Sequence, residues 1–218
     1  MKKITTLFLF LAVTLSLPAC DYKTVKGSGK ITMEDRKISA FTSIQSTGSV
    51  DIKLSQGESE KITVETDDNI QQYVEINIED ETLFVRLKNG TSVNPSKLVV
   101  HVTCKTLTSY SSTGSGDLQT ENPLKTNKLN IGQSGSGDIK MAIEATAVNV
   151  KKTGSGDFKI KGTVATLDIA STGSGDTDAS GLTCADMKIR GTGSGDFQLK
   201  KGVSAVVNIT GSGEVLYK

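Results

Sequence analysis

The sequence predicts an all-β chain folded as a parallel β-solenoid with coils of about 20 residues. Three observations predict it: a tetrapeptide that recurs at a nearly fixed period, apolar residues alternating with polar ones on both sides of each recurrence, and abundant glycine with no tryptophan. Gly114-Ser115-Gly116-Asp117 returns at Gly135 to Asp138, Gly154 to Asp157, Gly173 to Asp176 and Gly193 to Asp196, then as Gly-Ser-Gly-Glu from Gly211 to Glu214. The steps are 21, 19, 19, 20 and 18 residues, which suits one coil of a solenoid and is too short for helical repeats of about 33 residues or more. The 22 glycines imply many turns, and the missing tryptophan leaves few flat rings for gripping sugars.

From the N-terminus, Met1-Lys2-Lys3 is a short basic start and Ile4 to Leu17 an apolar run. That run has signal-peptide length and is too short to cross a bilayer, which takes about 20 residues. It ends in Leu17-Pro18-Ala19-Cys20, which resembles a lipobox, so residues 1–19 are expected to be a lipoprotein signal peptide. Cys20 is the expected lipid-attachment residue and residues 20–26 the expected tether. An ordinary secretory signal with a nearby cysteine is the alternative. Loss of Lys2 and Lys3 with the signal leaves 23 basic residues against 24 acidic ones, which argues against a nucleic-acid surface.

Residues 27–218 are expected to form a single solenoid domain whose first part, to about residue 110, is irregular. Thr47-Gly48-Ser49-Val50-Asp51 reads as a degenerate turn followed by Ile52-Lys53-Leu54. Lys61 to Val64, Leu83 to Leu87 and Leu98 to Cys104 alternate as strands, and Lys88 to Ser96 reads as a loop. Asp68 to Val74 is the one candidate for a short helix, with Asp67 or Asp68 as its N-cap. A separate small β-domain is the lesser alternative for this half.

Regular repeats are expected over residues 107–218. Leu129-Asn130-Ile131, Val148-Asn149-Val150, Leu167-Asp168-Ile169 and Met187-Lys188-Ile189 precede turns, and Ile139-Lys140-Met141, Phe158-Lys159-Ile160 and Phe197-Gln198-Leu199 follow them. Every second side chain is apolar, the rhythm of a strand with one buried face. One coil cannot bury its apolar row alone; coils stacked ~4.8 Å apart in parallel can.

Within each turn the glycines supply positive φ, and the acid can accept backbone N–H groups. A structural turn is therefore the default role of Gly114, Gly135, Gly154, Gly173, Gly193, Gly211 and of Asp117, Asp138, Asp157, Asp176, Asp196 and Glu214. The alternative is a cation-binding column of these acids. Its likeness to calcium-binding repeat rolls is slight, because their longer glycine-rich nonapeptide is missing.

Phe41-Thr42-Ser43-Ile44, Leu54-Ser55-Gln56-Gly57, Val64 to Ile70 and the serial Gly-Ser-Gly-Asp turns resemble the family called putative auto-transporter adhesin, head GIN domain. The resemblance covers about residues 27–218. It implies a right-handed parallel β-helix on an exported protein, commonly a lipoprotein, and it supplies no catalytic residues to carry over.

His101 is the only histidine, so one chain cannot build a His-based triad or a multi-histidine metal site. It is expected to point outward between Val99 and Thr103. The Gly-Ser pairs sit between strands and not on strand-to-helix elbows. Lys151, Lys152, Lys159, Lys161 and Arg190 could serve a polysaccharide-processing β-helix but read mostly as solvated faces. Cys104 and Cys184 hold similar places in coils four steps apart, roughly 19 Å, beyond the ~7 Å reach of a disulfide. Both are expected to be unpaired and buried.

The expected function is that of a non-enzymatic envelope lipoprotein, an adhesin-like binding module with a protein or glycan ligand, no cofactor and no nucleic-acid partner. A self-associating scaffold is the rival reading, and a polysaccharide-processing enzyme the third. The lipid places the chain in the envelope, at the outer membrane, facing either side. Val215 and Tyr217 in the last coil are shaped to continue the stack, so a homo-oligomer through that rung is a further expectation.

Overall fold

A computed structural model describes residues 24–218. The expected signal peptide and Cys20 lie outside the described residues. Among the described residues there are eighteen strands and a single 3-10 turn, Gln71–Tyr73. The strands of the first half are β1 (Thr24–Lys26), β2 (Ile31–Arg36), β3 (Ser43–Gly48), β4 (Asp51–Gln56), β5 (Lys61–Asp67), β6 (Val74–Glu79), β7 (Thr82–Leu87), β8 (Ser92–Asn94) and β9 (Leu98–Cys104). Those of the second half are β10 (Ser109–Gly114), β11 (Leu118–Thr120), β12 (Leu124–Gly135), β13 (Ile139–Gly154), β14 (Phe158–Gly173), β15 (Thr177–Gly193), β16 (Phe197–Leu199), β17 (Ala205–Gly211) and β18 (Val215–Tyr217).

The repeats stack as a β-solenoid with parallel coils. Gly114 pairs with Gly135, Gly135 with Gly154, Gly154 with Gly173, Gly173 with Gly193 and Gly193 with Gly211. Inward positions form continuous apolar columns: Leu129, Val148, Leu167 and Met187 on one wall, and Leu118, Ile139 and Phe158 on another, all almost wholly buried. Each column is a row of equivalent strand positions, so burying one sequence motif buries the whole stripe.

Gly48 pairs with Gly114, which makes Thr47 to Asp51 the first turn of the same column, 66 residues ahead of the next in sequence. The chain then leaves the stack, folds back and returns. β7 pairs in parallel with β3, and β9 with β4, on the side away from the repeats. Beyond them the pairing turns antiparallel: β5 on β9, β2 on β5, and β6 on β7. The first half is thus two further layers of the solenoid closed by an antiparallel cap, and not irregular coils throughout.

Two local expectations are corrected. The helix over Asp68 to Val74 is only the 3-10 turn Gln71–Tyr73, entered through Ile70 without a side-chain cap. Asp67 is drawn away from capping because its carboxylate accepts the N–H groups of Gly29 at 2.6 Å and Ser96 at 2.7 Å. The loop Lys88 to Ser96 contains β8, which pairs with β1, so the last three residues of the expected tether are part of the folded sheet.

Candidate functional site

The turn column is the feature the sequence singles out, and its geometry assigns each residue a task. At Gly154 φ is +127°, and a Cβ there would overlap the carbonyl group of Gly135 in the coil below. Glycine is required both by the backbone conformation and by the close approach of successive coils. Gly156, with no positive φ, is excluded from bearing a side chain by the carbonyl of Gly137 and the Nε2 of Gln133. The first glycines at Gly114, Gly135, Gly173, Gly193 and Gly211 repeat the arrangement of Gly154.

The acids form a directed ladder. The Oδ1 of Asp51 accepts the backbone N–H of Asp117 at 3.0 Å, and Asp117 accepts that of Asp138 at 2.8 Å. The ladder continues from Asp138 to Asp157, Asp157 to Asp176, Asp176 to Asp196 and Asp196 to Glu214, at 2.8–2.9 Å. Each carboxylate thus ties its coil to the next through a charge-assisted hydrogen bond. This is the use the sequence assigned by default. Among the described residues no group of three or more His, Cys, Asp or Glu side chains is placed to hold a metal.

Behind the turns lies a residue the sequence reading misplaced. Lys152 is 1% exposed, not part of a solvated face. It has the strand parity of Val148 and Val150 and points inward with them, where its register neighbours are Gln133 and Ser171. Its Nζ donates to the carbonyl oxygens of Gly175 at 2.5 Å and Asp176 at 3.3 Å, in the coil above. Burial pushes its pKa below the ordinary lysine value, against the pull of Asp157, Asp176 and Asp138 just outside the turns. Gln133 donates to the carbonyl of Gly137 in the same interior column. Only inward parity could have revealed Lys152, and its charge argues against that parity.

On the cap, His101 is partly exposed, and its Nε2 lies 3.0 Å from Oε2 of Glu65, whose Oε1 accepts from Lys97 at 2.6 Å. Lys97 first and then His101 lower the Glu65 pKa, partly offset by burial. Asp67 is fully buried; burial raises its pKa, but the N–H groups of Ser96 and Gly29 outweigh this and leave it below the usual carboxylate range. Five strands further along the same wall, in register with His101 through Lys53, Gln119, Lys140 and Lys159, burial works against Asp178, yet the hydrogen bonds from Lys159 and Ser180 hold its pKa at about 2.

Cys104 and Cys184 are free and buried. Cys104 lies in the layer beside β4, on the cap side, and not in the coil of Gly114. Five strand spacings, ~24 Å, therefore separate it from the layer of Cys184, where the sequence spacing implied four.

Large exposed hydrophobic side chains gather at the two ends of the rod. Ile31 and Met33 are on the cap, and Val206, Leu216 and Tyr217 are on the last coils. The flanks between them are polar. A shallow depression near β12 is lined by Thr106, Thr108, Thr126, Asn127, Asn130 and Thr146.

A family model described as "Putative auto-transporter adhesin, head GIN domain" matches residues 40–218. No curated protein matches the chain. Among solved structures, a putative adhesin from Bacteroides fragilis superposes with a TM-score of 0.80 at 24% identity, covering 89% of this chain and 100% of that one. A putative lipid binding protein from Parabacteroides distasonis gives 0.67 at 22% identity, covering 90% and 100%. A putative adhesin from Parabacteroides merdae gives 0.62 at 22% identity, covering 89% and 99%. At these identities the likeness is one of fold.

Proposed function

Because the chain belongs to the putative auto-transporter adhesin, head GIN domain family, we propose that it is a non-enzymatic binding module, held in the cell envelope by a lipid on Cys20. The observation that carries this reading is the placement of Val206, Leu216 and Tyr217. These exposed side chains stand at the end of the stack opposite the N-terminal strands, with polar flanks between them and Ile31 and Met33 on the cap. An apolar, aromatic tip on a rigid stem fits the buried centre of a protein interface. The repeated acids, by contrast, are engaged in tying coils together and are poorly placed to do chemistry.

The lipid reading is tested by labelling cells with an alkyne fatty acid; labelling that survives Cys20→Ala excludes it. Protease shaving of intact cells distinguishes a surface-facing from a periplasmic domain. For the binding role, Leu216→Asp with Tyr217→Asp should abolish attachment to host or neighbouring-cell surfaces while leaving protein level and fold unchanged. Attachment that persists in this variant rules out the tip.

A scaffold that self-associates through the last rung is the second reading, favoured by one observation: β17 and β18 are each paired along a single edge, to β15 and β16. Light scattering on the soluble form tests it, and a monomer at high concentration eliminates it.

A further inference from the structure

We propose that the antiparallel cap is a membrane-contact foot, with Ile31 and Met33 of β2 entering the lipid interface beside the acylated Cys20. The inference rests on the lipid-anchor reading of Cys20 and adds to it a face of the protein.

β2 is the outermost strand of its sheet, which runs from β2 through β5, β9 and β4 into the repeats, and only its inner edge is paired. Ile31 and Met33 are two residues apart and share one face of the strand. They are 39% and 63% exposed, and the other large exposed hydrophobics lie at the far end of the stack. The outer strands thus carry an apolar pair for which the protein itself provides no cover.

The length of chain before β1 identifies what meets that pair. Cys20 precedes Thr24 by four residues, so a lipid on Cys20 is at most ~14 Å from Thr24 even with the chain fully extended. Thr24 is fixed by its register with Ser92, and the next residues are pinned in turn: the Gly27 N–H to the carbonyl of Asn94, and the Gly29 N–H to Asp67. The reach is only about twice the thickness of a headgroup layer, ~6 Å per leaflet. The cap therefore cannot be held clear of the bilayer.

The charges on this face permit the approach. Asp35 is paired with Lys61 and Glu65 with Lys97 beside Ile31 and Met33, and elsewhere on the cap Glu34 is paired with Arg36 and Asp68 with Lys30. Asp67 is buried against backbone N–H groups. The carboxylates around β2 are thus paired, whereas Glu79, Asp80 and Glu81 at the β6–β7 turn are exposed without a salt bridge among the described residues, so anionic lipid meets less repulsion at the β2 side of the cap. A weak apolar contact suffices here, because the tether turns it into an intramolecular event at high effective concentration. β18 lies nine strand spacings, ~43 Å, from β2 along the stack.

The test uses the lipidated full chain in vesicles of phosphatidylethanolamine and phosphatidylglycerol containing a brominated lipid. An environment-sensitive fluorophore is attached at Met33→Cys, at Glu34→Cys on the opposite face of the same strand, or at Leu216→Cys. Wild type, with Cys104 and Cys184 buried, gives the labelling background. The foot predicts quenching at position 33 about threefold or more above that at 34 and 216, with a blue shift at 33 alone. Quenching at 33 no greater than at 216 overturns it. Failure of the anchor reading shows separately, as a wild-type chain without acyl mass on its N-terminal peptide that does not float with vesicles. The labelled protein is then held to nickel-chelating lipid by a histidine tag replacing residues 1–20, and the same two outcomes decide the foot.

Discussion

Asp138 Oδ1 accepts the backbone N–H of Asp157 at 2.9 Å, across the gap between two coils. Such a bond needs an acceptor at the first position but no charge at the second. Asp138→Ala should therefore cost about 1 kcal/mol, and Asp138→Asn, which keeps an amide oxygen, less than half of that. Urea denaturation of the two variants measures the difference. Since the carboxylates are committed to N–H groups, chelators should leave the melting temperature unchanged; a large fall on calcium removal would restore the cation column.

Gly154→Ala and Gly132→Ala make a matched pair. A Cβ at Gly154 strikes the Gly135 carbonyl, whereas one at Gly132 meets Ser111 Oγ at an ordinary 3.5 Å. The first change should destabilise by more than ~3 kcal/mol or prevent folding, and the second should stay within ~0.5 kcal/mol. Comparable losses from both would mean that coil spacing is not set at the turns.

Lys152 makes stability depend on pH in a definite direction. Its folded-state pKa lies below that of the unfolded chain, so between the two values the unfolded state holds more protons and stability rises with pH. Below the folded pKa the full cost of the buried ammonium remains. Lys152→Met should lose this rise and be as stable as wild type or more so near neutral pH. Denaturation midpoints collected from neutrality up to the ordinary lysine range provide the check.

The cysteines should be inert in the native state. Burial pushes the Cys104 thiol to about 11 and that of Cys184 upward as well, so at neutral pH neither is a thiolate. Iodoacetamide should modify both only after unfolding, and reduction should leave the mass of the denatured monomer unaltered. A mass gain on reduction would reveal a disulfide.

Asp67 fastens the N-terminal segment through Gly29 and Ser96. Its lowered pKa means the stabilisation is present above the unfolded carboxylate range and is lost as pH falls through the folded value. Asp67→Asn should expose Lys26 and Lys30 to trypsin at neutral pH while the repeats stay resistant. Wild type should become equally susceptible only in acid, which an acid-active protease can detect.

The second half of the fold was legible because its signals are local. Leu129, Val148, Leu167 and Met187 state the strand parity, and the glycine turns state the register. The first half was less so, since the pairing of Ser43 with Ser109 and of Ile62 with Val102 joins segments whose spacing follows no period. Inward parity was overruled by charge at Lys152, and at Asp67 an acid ahead of a short polar run looked like a cap when its partners were Gly29 and Ser96, distant in sequence. The acid ladder could be anticipated in kind, as a backbone acceptor, but its direction from each coil to the next depends on stacking geometry that one coil's sequence does not contain.

The return of the chain to pair β10 against β3 also fixes when the molecule can assemble. β3 and β4 lie between β7 and β9 on one side and β10 and β11 on the other, so the layer they form is completed only once residues up to 120 are available to pair. Every later coil needs only the one before it. During folding the first half should therefore wait as an incomplete nucleus, and the remainder should then add in order within a much shorter time. The same asymmetry makes the two halves unequal as building material: a coil removed beyond Gly135 leaves every pairing of β2 to β9 with one another in place.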